Sequence, residues 1–142
     1  MYQVKKSTDV RKNWSEFIDG VVREKPSMIK RNRDTLSVLS LEQLNYLLEG
    51  YHLTLKILSE DDGSYTGILE ELDILANETS EIELVNTIID DLMEYANEYM
   101  DNFALYFNSP NRKKHFPYIY KVLTQSETRS LVKEDFSVYK VD

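Results

Sequence analysis

Hydrophobic residues recur at helical spacing near the start of the chain. Between residues 10 and 22 the apolar side chains predict one buried stripe, made of Val10, Trp14, Phe17, Ile18, Val21 and Val22. Ser7 is a good N-cap for this helix, and Asp9 adds negative charge to the first turn, where the helix dipole favours it. We expect the helix to end before Pro26, which cannot continue it. Residues 2–6 predict a short strand ahead of the helix.

Two short segments of apolar and basic residues follow, at positions 28–32 and 35–39. They predict a hairpin, because Asn and Asp in the connection between them tolerate the backbone angles of a tight turn. Ser40 and Gln43 then have the spacing of a capping box, which predicts a second helix with an apolar face. We place the end of this N-terminal unit near Tyr51.

The second half of the chain begins with predicted strands. Residues 52–58 indicate a strand, and residues 60–64 indicate a turn. Residues 65–75 predict one further strand that is irregular near Glu70 and Glu71.

The longest predicted helix follows a second capping box at Ser80 and Glu83 and runs from about residue 81 to about residue 107. Its predicted buried stripe consists of Val85, Ile89, Leu92, Ala96, Tyr99 and Phe103. The opposite face is almost purely acidic and consists of Glu81, Asp90, Asp91, Glu94, Glu98 and Asp101. Beyond this helix, the pattern predicts helices over 118–125 and 126–135 and an edge strand over 136–141.

These elements predict an α+β protein with two parts. Residues 1–51 form a β-α-β-β-α unit, and residues 52–142 form a small α+β module that contains the long acidic helix. The module is rich in Tyr, Leu and Ile at regular spacings, so we expect it to fold by itself.

The net charge of −8 is distributed unevenly along the chain. Residues 1–35 carry nine Lys or Arg against five Asp or Glu, whereas residues 36–110 carry one basic residue against sixteen acidic ones. Residues 111–142 are again basic, with seven against four. Such a chain can present a basic face to one partner and an acidic face to another, although charge that only keeps the protein in solution is the alternative.

The composition also excludes several classes of protein. The chain has no cysteine, which excludes disulfides, thiolate zinc sites and cysteine nucleophiles and fits a reducing cytosol. No apolar run is long enough to cross a bilayer, and the first residues lack the apolar segment of a secretion signal. We therefore expect a cytoplasmic protein that has no contact with a membrane.

The sequence carries no enzyme motif. His52 and His115 lie far apart and in no metal-ligand spacing, and there is no nucleophile elbow, phosphate-binding glycine loop or dinucleotide fingerprint. Glu70 and Asp73 could hold a metal in principle, but no further ligand converges with them. The carboxylates of the long helix lack the histidine three residues after a glutamate that a di-metal bundle uses. We expect no catalytic activity, cofactor or metal.

The first fifty residues carry a recognisable set of motifs. It comprises Ser7, Arg11, Ile18-Asp19, Pro26, Ile29, Arg31, Val38-Leu39 and Ser40-Leu41-Glu42. With these residues, the segment 4–50 resembles the N-terminal domain of Phd/YefM-type antitoxins. The resemblance implies a homodimer or higher homo-oligomer that neutralises a cognate toxin and represses its own operon by binding operator DNA. Two departures from the family pattern are Thr8-Asp9-Val10, where Glu-Ala is usual, and Arg33, where the hairpin commonly has glycine.

The DNA-binding candidates come from the resemblance and from charge. The DNA-contacting positions of the family fall on Ser7, Thr8, Arg11 and Arg31 of this sequence, and Lys12 is added from its position. Lys5, Lys6 and Arg33 complete the set, because they place further positive charge beside the start of the first helix and on the hairpin. We also expect the backbone N–H groups at that helix start to donate hydrogen bonds to a phosphate group.

A second resemblance concerns the C-terminal half. The stretch from Tyr65 to Val85, with Glu78-Thr79 ahead of a helix, is similar to HicB-type antitoxins, which hold a strand-strand-strand-helix domain against their toxin. Toxins of such systems are typically basic, so the six carboxylates of the acidic helix face are the predicted toxin-binding residues. A solvent-facing acidic helix without a partner is the alternative. The basic and aromatic cluster at residues 111–116 could contact nucleic acid or pair with the acidic helix of a second subunit, and we favour the second.

Two other functions remain open from the sequence. The first is a stand-alone transcriptional regulator whose C-terminal module senses a small ligand. The second is an interaction protein that binds no DNA and whose N-terminal unit only dimerises.

Overall fold

The computed structural model of the protein describes residues 2–125 and 129–141. The chain forms two compact units, residues 1–47 and residues 48–142, so the boundary lies slightly ahead of the position expected near Tyr51. Helices and two separate sheets are both present, which confirms the predicted α+β class. Within the described ranges, no helix has both the length and the apolar character needed to cross a membrane.

The N-terminal unit packs short helices on a three-stranded sheet of order β1-β2-β3. Its elements are β1 (Val4–Lys6), α1 (Ser7–Lys12), α2 (Trp14–Arg23), β2 (Ser27–Arg31), β3 (Asp34–Val38) and α3 (Leu41–Leu47). Strand β1 runs parallel to β2, and β2 pairs antiparallel with β3. The predicted order of elements is present, with the first helix divided into two.

The division lies at Asn13, whose φ of −123° and ψ of 45° are not helical. The Asn13 amide donates to the carbonyl oxygens of Asp9 and Val10, at 3.2 Å each, and closes α1. Helix α1 begins at Ser7 itself and has Lys6 as its N-cap residue, without a side-chain hydrogen bond. The predicted N-cap role of Ser7 is therefore wrong, because β1 runs directly into the helix.

The core of the N-terminal unit is small. Among the described residues of this unit, the buried apolar side chains are Val10, Phe17 and Val21. Trp14 and Val22, which were predicted to be buried, are 57% and 59% exposed, so the buried stripe is narrower than the sequence predicted. Trp14 stacks on Phe17 with ring centroids 5.9 Å apart and leaves its other face to solvent.

Two predicted local motifs of this unit are confirmed. The hairpin turns at Asn32, which adopts a positive φ of 54° as the sequence suggested. In the capping box, the Gln43 amide donates to Ser40 Oγ at 3.2 Å and the Ser40 amide donates to Gln43 Oε1 at 2.8 Å. The Gln43 side-chain amide also donates to the carbonyl of Val21 at 3.1 Å, which joins α3 to α2.

The C-terminal unit packs its helices against one face of a four-stranded sheet of order β6-β5-β4-β7. Its elements are β4 (Leu53–Ser59), β5 (Tyr65–Leu69), β6 (Ile74–Glu78), α4 (Glu81–Asp101), α5 (Phe103–Phe107), α6 (Pro110–Lys113), α7 (Phe116–Gln125), α8 (Arg129–Glu134) and β7 (Phe136–Val141). Strands β4, β5 and β6 are antiparallel neighbours, and β7 runs parallel to β4 at the edge, as predicted. Part of the predicted helix 126–135 is α8, and residues 126–128 lie outside the described residues.

The single irregular strand expected over residues 65–75 is wrong, because this segment forms the hairpin of β5 and β6. The chain turns between them at Asp73, which has a φ of 56°. Strand pairing continues briefly into the turn, where the Glu70 amide donates to the Thr54 carbonyl at 3.0 Å and the Glu71 carboxylate accepts from the Thr54 amide. Neither glycine nor proline marks this turn, so the pattern of the sequence concealed it.

The long helix is shorter than predicted, because α4 ends at Asp101 and the non-helical Asn102 separates it from α5. Ser80 is its N-cap, as expected, and accepts the Glu83 amide through Oγ at 3.2 Å. The buried side of α4 consists of Leu84, Ile88, Ile89, Leu92, Ala96 and Tyr99. Val85 and Phe103, which belong to the predicted stripe, are only partly buried.

Gly67 in β5 allows the close approach of α4 to the sheet. A Cβ atom at this position would lie 3.0 Å from Cδ1 of Leu84, which is completely buried. We expect Gly67→Ala to lower the free energy of unfolding by about 1–3 kcal/mol, the usual cost of overpacking a core. Urea unfolding followed by circular dichroism measures this loss.

Gly20→Ala is the matched control, because nothing lies within 4 Å of the Cβ that it adds. Gly20 lies in α2, where alanine is the better helix former, so this variant should unfold at the same or a higher urea concentration. Equal midpoints for Gly67→Ala and the wild type would show that Leu84 moves aside without cost.

Candidate functional site

The predicted DNA-binding residues lie where β1 meets α1 and at the turn end of the hairpin. Lys5 and Lys6 end β1, Arg31 ends β2 and Arg33 lies in the turn. The other four belong to α1 and are Ser7, Thr8, Arg11 and Lys12. Ser7 is half buried, and the other seven residues are exposed.

Strand register brings the start of α1 close to the end of β2. Lys6 pairs with Lys30 in the parallel ladder, so the next residues of the two segments, Ser7 and Arg31, follow side by side. Ile29 lies two residues before Arg31 and packs with the helical core, and residues two apart on a strand share a face. Arg31 therefore leaves the sheet on the face that carries α1.

A hollow of about 230 Å³ connects the two segments and is lined by Ser7, Val10, Arg11, Trp14 and Ile29. Arg11 thus lies on the same side of the sheet as Arg31. We name this surface, consisting of Ser7, Thr8, Arg11, Lys12, Arg31 and Arg33, the basic ridge.

The cations of the basic ridge have no partner within the described part of the chain. The side chains of Arg11, Lys12, Arg31 and Arg33 form neither an ion pair nor a hydrogen bond there. Guanidinium and ammonium groups that are exposed and unpaired can bind phosphate or base edges without first breaking an internal contact. Lys5 is different, because its Nζ lies 5.4 Å from the centre of the Phe17 ring.

The N-terminus of α1 contributes less to anion binding than the sequence suggested. This helix has six residues and ends at Lys12, so few peptide dipoles align behind its first N–H groups. Affinity for an anion at this surface must therefore come mainly from the arginine and lysine side chains.

The predicted toxin-binding carboxylates do not form one face. Asp90, Glu94 and Asp101 are exposed on the side of α4 that points away from the core. Glu83 shares this side, one heptad before Asp90, although its spacing from Ser80 identified it with the capping box and not with the toxin-binding residues. Its carboxylate accepts from the Thr79 hydroxyl at 2.8 Å. We name the surface of Glu83, Asp90, Glu94 and Asp101 the acidic ridge.

Three of the predicted carboxylates have other surroundings. Glu81 forms an ion pair with Lys140 of β7, with 2.8 Å between the carboxylate oxygen and Nζ, so its placement on the acidic face was wrong. Glu98 accepts from the Tyr106 hydroxyl at 2.5 Å, and this hydrogen bond raises the pKa of the tyrosine. Asp91 is only half exposed.

The basic and aromatic cluster at residues 111–116 packs within its own unit. The Arg112 guanidinium lies 4.3 Å from the centre of the Tyr106 ring, and Lys113 Nζ lies 4.7 Å from that of Phe107. The Arg112 carbonyl also accepts from the Tyr99 hydroxyl at 2.8 Å. These cation–π contacts already engage two of the cations that a nucleic acid or a second subunit would use.

His115 lies inside this cluster and is only 5% exposed. Its Nδ1 is 2.7 Å from the Tyr95 hydroxyl, and its Nε2 has no hydrogen-bond partner in the described part of the chain. Burial lowers the pKa of the imidazole, and the nearby charges of Lys114 and Arg112 lower it too, whereas Asp73 acts in the opposite direction. The fold therefore holds His115 in its neutral form.

This environment predicts acid sensitivity of the C-terminal unit. The folded state lowers the pKa of His115 below its ordinary value of 6.5. The neutral imidazole therefore contributes its full stabilisation to the folded state above pH 6.5. This stabilisation is lost as the pH falls from there through the folded-state pKa. We expect the melting temperature to fall more steeply between pH 7.5 and 5 in the wild type than in His115→Gln, as measured by calorimetry. Parallel slopes for the two proteins would refute the role of His115.

A second buried charge, Lys121, lines a cavity of about 270 Å³ beside α7. The described residues around it are Leu53, Lys121, Val122, Gln125, Val132, Glu134 and Asp135. Lys121 Nζ donates to the Tyr51 carbonyl at 3.0 Å and pairs with Asp135 at 3.1 Å. The charge of Lys121 is therefore compensated within the unit. The side chain is not an unpaired buried cation that could bind the small ligand of a ligand-sensing regulator.

The structure describes no group of three or more His, Asp and Glu side chains that could hold a metal ion in the ranges 2–125 and 129–141. Glu70, which was considered with Asp73 as a metal ligand, accepts a hydrogen bond from the Tyr139 hydroxyl. Its carboxylate thus joins the β5–β6 turn to β7.

Comparison with known proteins gives two matches. The family described as "PHD_like: Antitoxin of toxin-antitoxin, RelE / RelB, TA system" matches residues 1–134. A crystal structure from Syntrophomonas wolfei subsp. wolfei, described as the antitoxin part of a proposed toxin/antitoxin system, is 39% identical in sequence and superposes with a TM-score of 0.89. The match covers 98% of this chain and 99% of that one. No curated protein matches the chain.

Proposed function

The chain belongs to the PHD-like family of antitoxins of toxin–antitoxin systems, and from this premise we propose two activities. The C-terminal unit neutralises a cognate toxin, and the N-terminal unit binds operator DNA as a homodimer and represses its own operon. Both take place in the cytoplasm and require neither catalysis nor a cofactor. The family match over residues 1–134 is the observation that carries the proposal.

The basic ridge supports the DNA-binding part. It contains four exposed cations that have no partner among the described residues, together with the half-buried Ser7, and the N-terminal unit as a whole carries nine basic against six acidic residues. Four of the six residues of the basic ridge occupy the positions that the Phd/YefM resemblance assigns to DNA contact, namely Ser7, Thr8, Arg11 and Arg31. We therefore propose the Phd/YefM subtype within the family.

The apolar surface of the N-terminal unit supports dimerisation. Only a few of its apolar side chains are buried, whereas Trp14, Val22, Leu36 and Leu41 are exposed. Burial of such side chains against a second copy would enlarge the small core, and a two-fold contact would present two basic ridges to the two halves of a palindromic operator.

The acidic ridge supports the toxin-binding part. The C-terminal unit carries nineteen acidic against eight basic residues, and the ridge lies on the exposed side of its longest helix. Such a surface attracts a basic partner from a distance and masks its charge after contact. The order strand, strand, strand, helix from β4 to α4 is also the one that the HicB resemblance implies.

Co-expression with the product of the adjacent open reading frame tests the toxin-binding part. We expect the two proteins to co-purify and the neighbour to be lethal when expressed alone. A harmless neighbour that does not bind would leave the stand-alone regulator as the better reading.

DNA binding is tested separately by retention of the promoter fragment at low salt. A chain that retains no DNA but still captures the neighbour would be an antitoxin without a repressor function.

A further inference from the structure

The sheet of the C-terminal unit has a second face that none of the described helices of the same unit covers. In β4 the side chains of Leu53, Leu55 and Ile57 are buried against the helices. The residues between them therefore point to the opposite side, because side chains alternate along a strand. We name this opposite side the open sheet face.

Strand register shows how the open sheet face is composed. Lys56 pairs with Tyr139 of β7 on one side and with Ile68 of β5 on the other, and Ile68 pairs with Leu75 of β6. One row of side chains therefore crosses all four strands. The neighbouring row runs through Val141, Leu58, Thr66 and Asn77.

The open sheet face is largely apolar, and several of its side chains are exposed to solvent. Leu75 is 63% exposed, and Tyr139 and Val141 are exposed as well, while Leu58 and Ile68 are half buried. Apolar side chains that lie side by side across a sheet are ordinarily covered by a second layer. Something outside the described residues is therefore expected to cover this one.

Charge indicates which kind of partner fits. Lys56 is the charged side chain of the two rows, and the nearby Glu70 is engaged by Tyr139. A two-fold contact places each surface against itself, so a highly charged surface such as the acidic ridge repels its own copy. The open sheet face has almost no net charge and avoids this repulsion. For the same reason it offers no attraction to a basic toxin.

We propose that the open sheet face is a contact surface for a second copy of this chain. Two sheets would pack face to face, about 10 Å apart, as in a β-sandwich. Four strands of about five residues give a patch of about 300 Å² by strand spacing, below the roughly 800 Å² per partner of a stable interface. The contact is therefore weak alone and pairs one dimer held by its N-terminal units with a second such dimer, where two copies of the contact act together; this step rests on the proposed dimer.

Sedimentation of the full chain over a range of micromolar concentrations tests this contact. We expect the wild type to reach about twice the mass of Leu75→Glu at high concentration. Leu105→Glu is the matched control, because Leu105 is 69% exposed on α5 and lies away from the sheet. Since both leucines are exposed, neither variant should unfold, and circular dichroism verifies this. Ile68→Thr, in the same row as Leu75 and well suited to a strand, should reduce the mass too.

Each other outcome overturns the proposal. It fails if the wild type never exceeds the mass of Leu75→Glu, or if Leu105→Glu loses mass equally. It also fails if Leu75→Glu keeps its mass but no longer captures the product of the adjacent gene, since the face then belongs to the toxin. Loss of DNA binding or of toxin capture in the wild type would contradict the proposed function without changing these masses.

Discussion

Replacing Arg11 by alanine is expected to weaken the binding of the chain to its own promoter by at least about 30-fold. The side chain is exposed, lies on the basic ridge and has no partner in the described part of the chain, so its removal costs the fold little. One arginine contact with DNA contributes about 1–3 kcal/mol, and a dimer contains two copies, which gives about 2–6 kcal/mol. Fluorescence anisotropy with labelled promoter DNA measures the change.

The salt dependence of this binding shows what Arg11 contacts. If Arg11 neutralises phosphate, the negative slope of log K against log salt becomes less steep in Arg11→Ala by about two per dimer, one for each copy. If it reads a base, the slope stays closer to that of the wild type and discrimination between operator and unrelated DNA decreases. Arg31→Ala should behave in the same way, because Arg31 leaves the sheet on the face that carries α1.

Arg23→Ala is the control for this experiment. It removes the same charge from the same unit, but Arg23 ends α2, close to the start of β2 and away from the turn end of the hairpin. We expect less than a threefold effect on promoter binding. Equal losses for Arg23→Ala and Arg11→Ala would mean that only overall charge holds the DNA. Unchanged binding in Arg11→Ala and Arg31→Ala would favour a protein that dimerises without binding DNA.

Local chemistry made most of the elements predictable from the sequence. Both capping boxes bring side-chain oxygens and backbone N–H groups together within four residues, so Ser40 and Ser80 could be identified as caps without knowledge of the tertiary structure. Pro26 ended the first helical region, and Asn32 formed the hairpin turn for equally local reasons. The edge position of β7 could be expected from its alternating pattern.

Breaks in regular elements were harder to predict. The apolar stripe continues in phase across Asn13, so only the non-helical backbone of that residue shows that α1 ends there. The turn that ends at Asp73 contains no glycine or proline, and its first residues, Glu70 and Glu71, form hydrogen bonds with Thr54, which is distant in sequence. At this turn a contact between distant segments outweighs the local pattern, whereas both amide groups of Asn13 donate only to Asp9 and Val10 of α1 within the described residues.

The candidate surfaces were predictable in outline but not in membership. Exposure on a helix follows from spacing, and this placed Glu94 and Asp101 correctly on the outer side of α4. The ion pair of Glu81 with Lys140 joins distant segments, and spacing does not predict it. The contact of Arg112 with Tyr106 spans only six residues, but it depends on the separate short helices α5 and α6, which the pattern did not show.

The double variant Glu94→Lys/Asp101→Lys is expected to weaken toxin binding about 100-fold or more. Both carboxylates are exposed on the acidic ridge, one heptad apart, and have no partner in the described part of the chain. Each reversal replaces attraction to a basic partner by repulsion, and like charges facing each other cost several kcal/mol. Surface plasmon resonance with the immobilised product of the adjacent gene measures the association and dissociation rates.

Glu60→Lys/Asp61→Lys is the matched control, since it makes the same charge change at the exposed turn between β4 and β5. If long-range attraction alone brings the partner in, both double variants slow association equally and the difference vanishes at high salt, because exposed charges are screened. If the acidic ridge is the contact itself, the α4 variant also dissociates faster, and this difference persists at high salt. Equal dissociation rates in the two variants would place the toxin on another surface of the C-terminal unit.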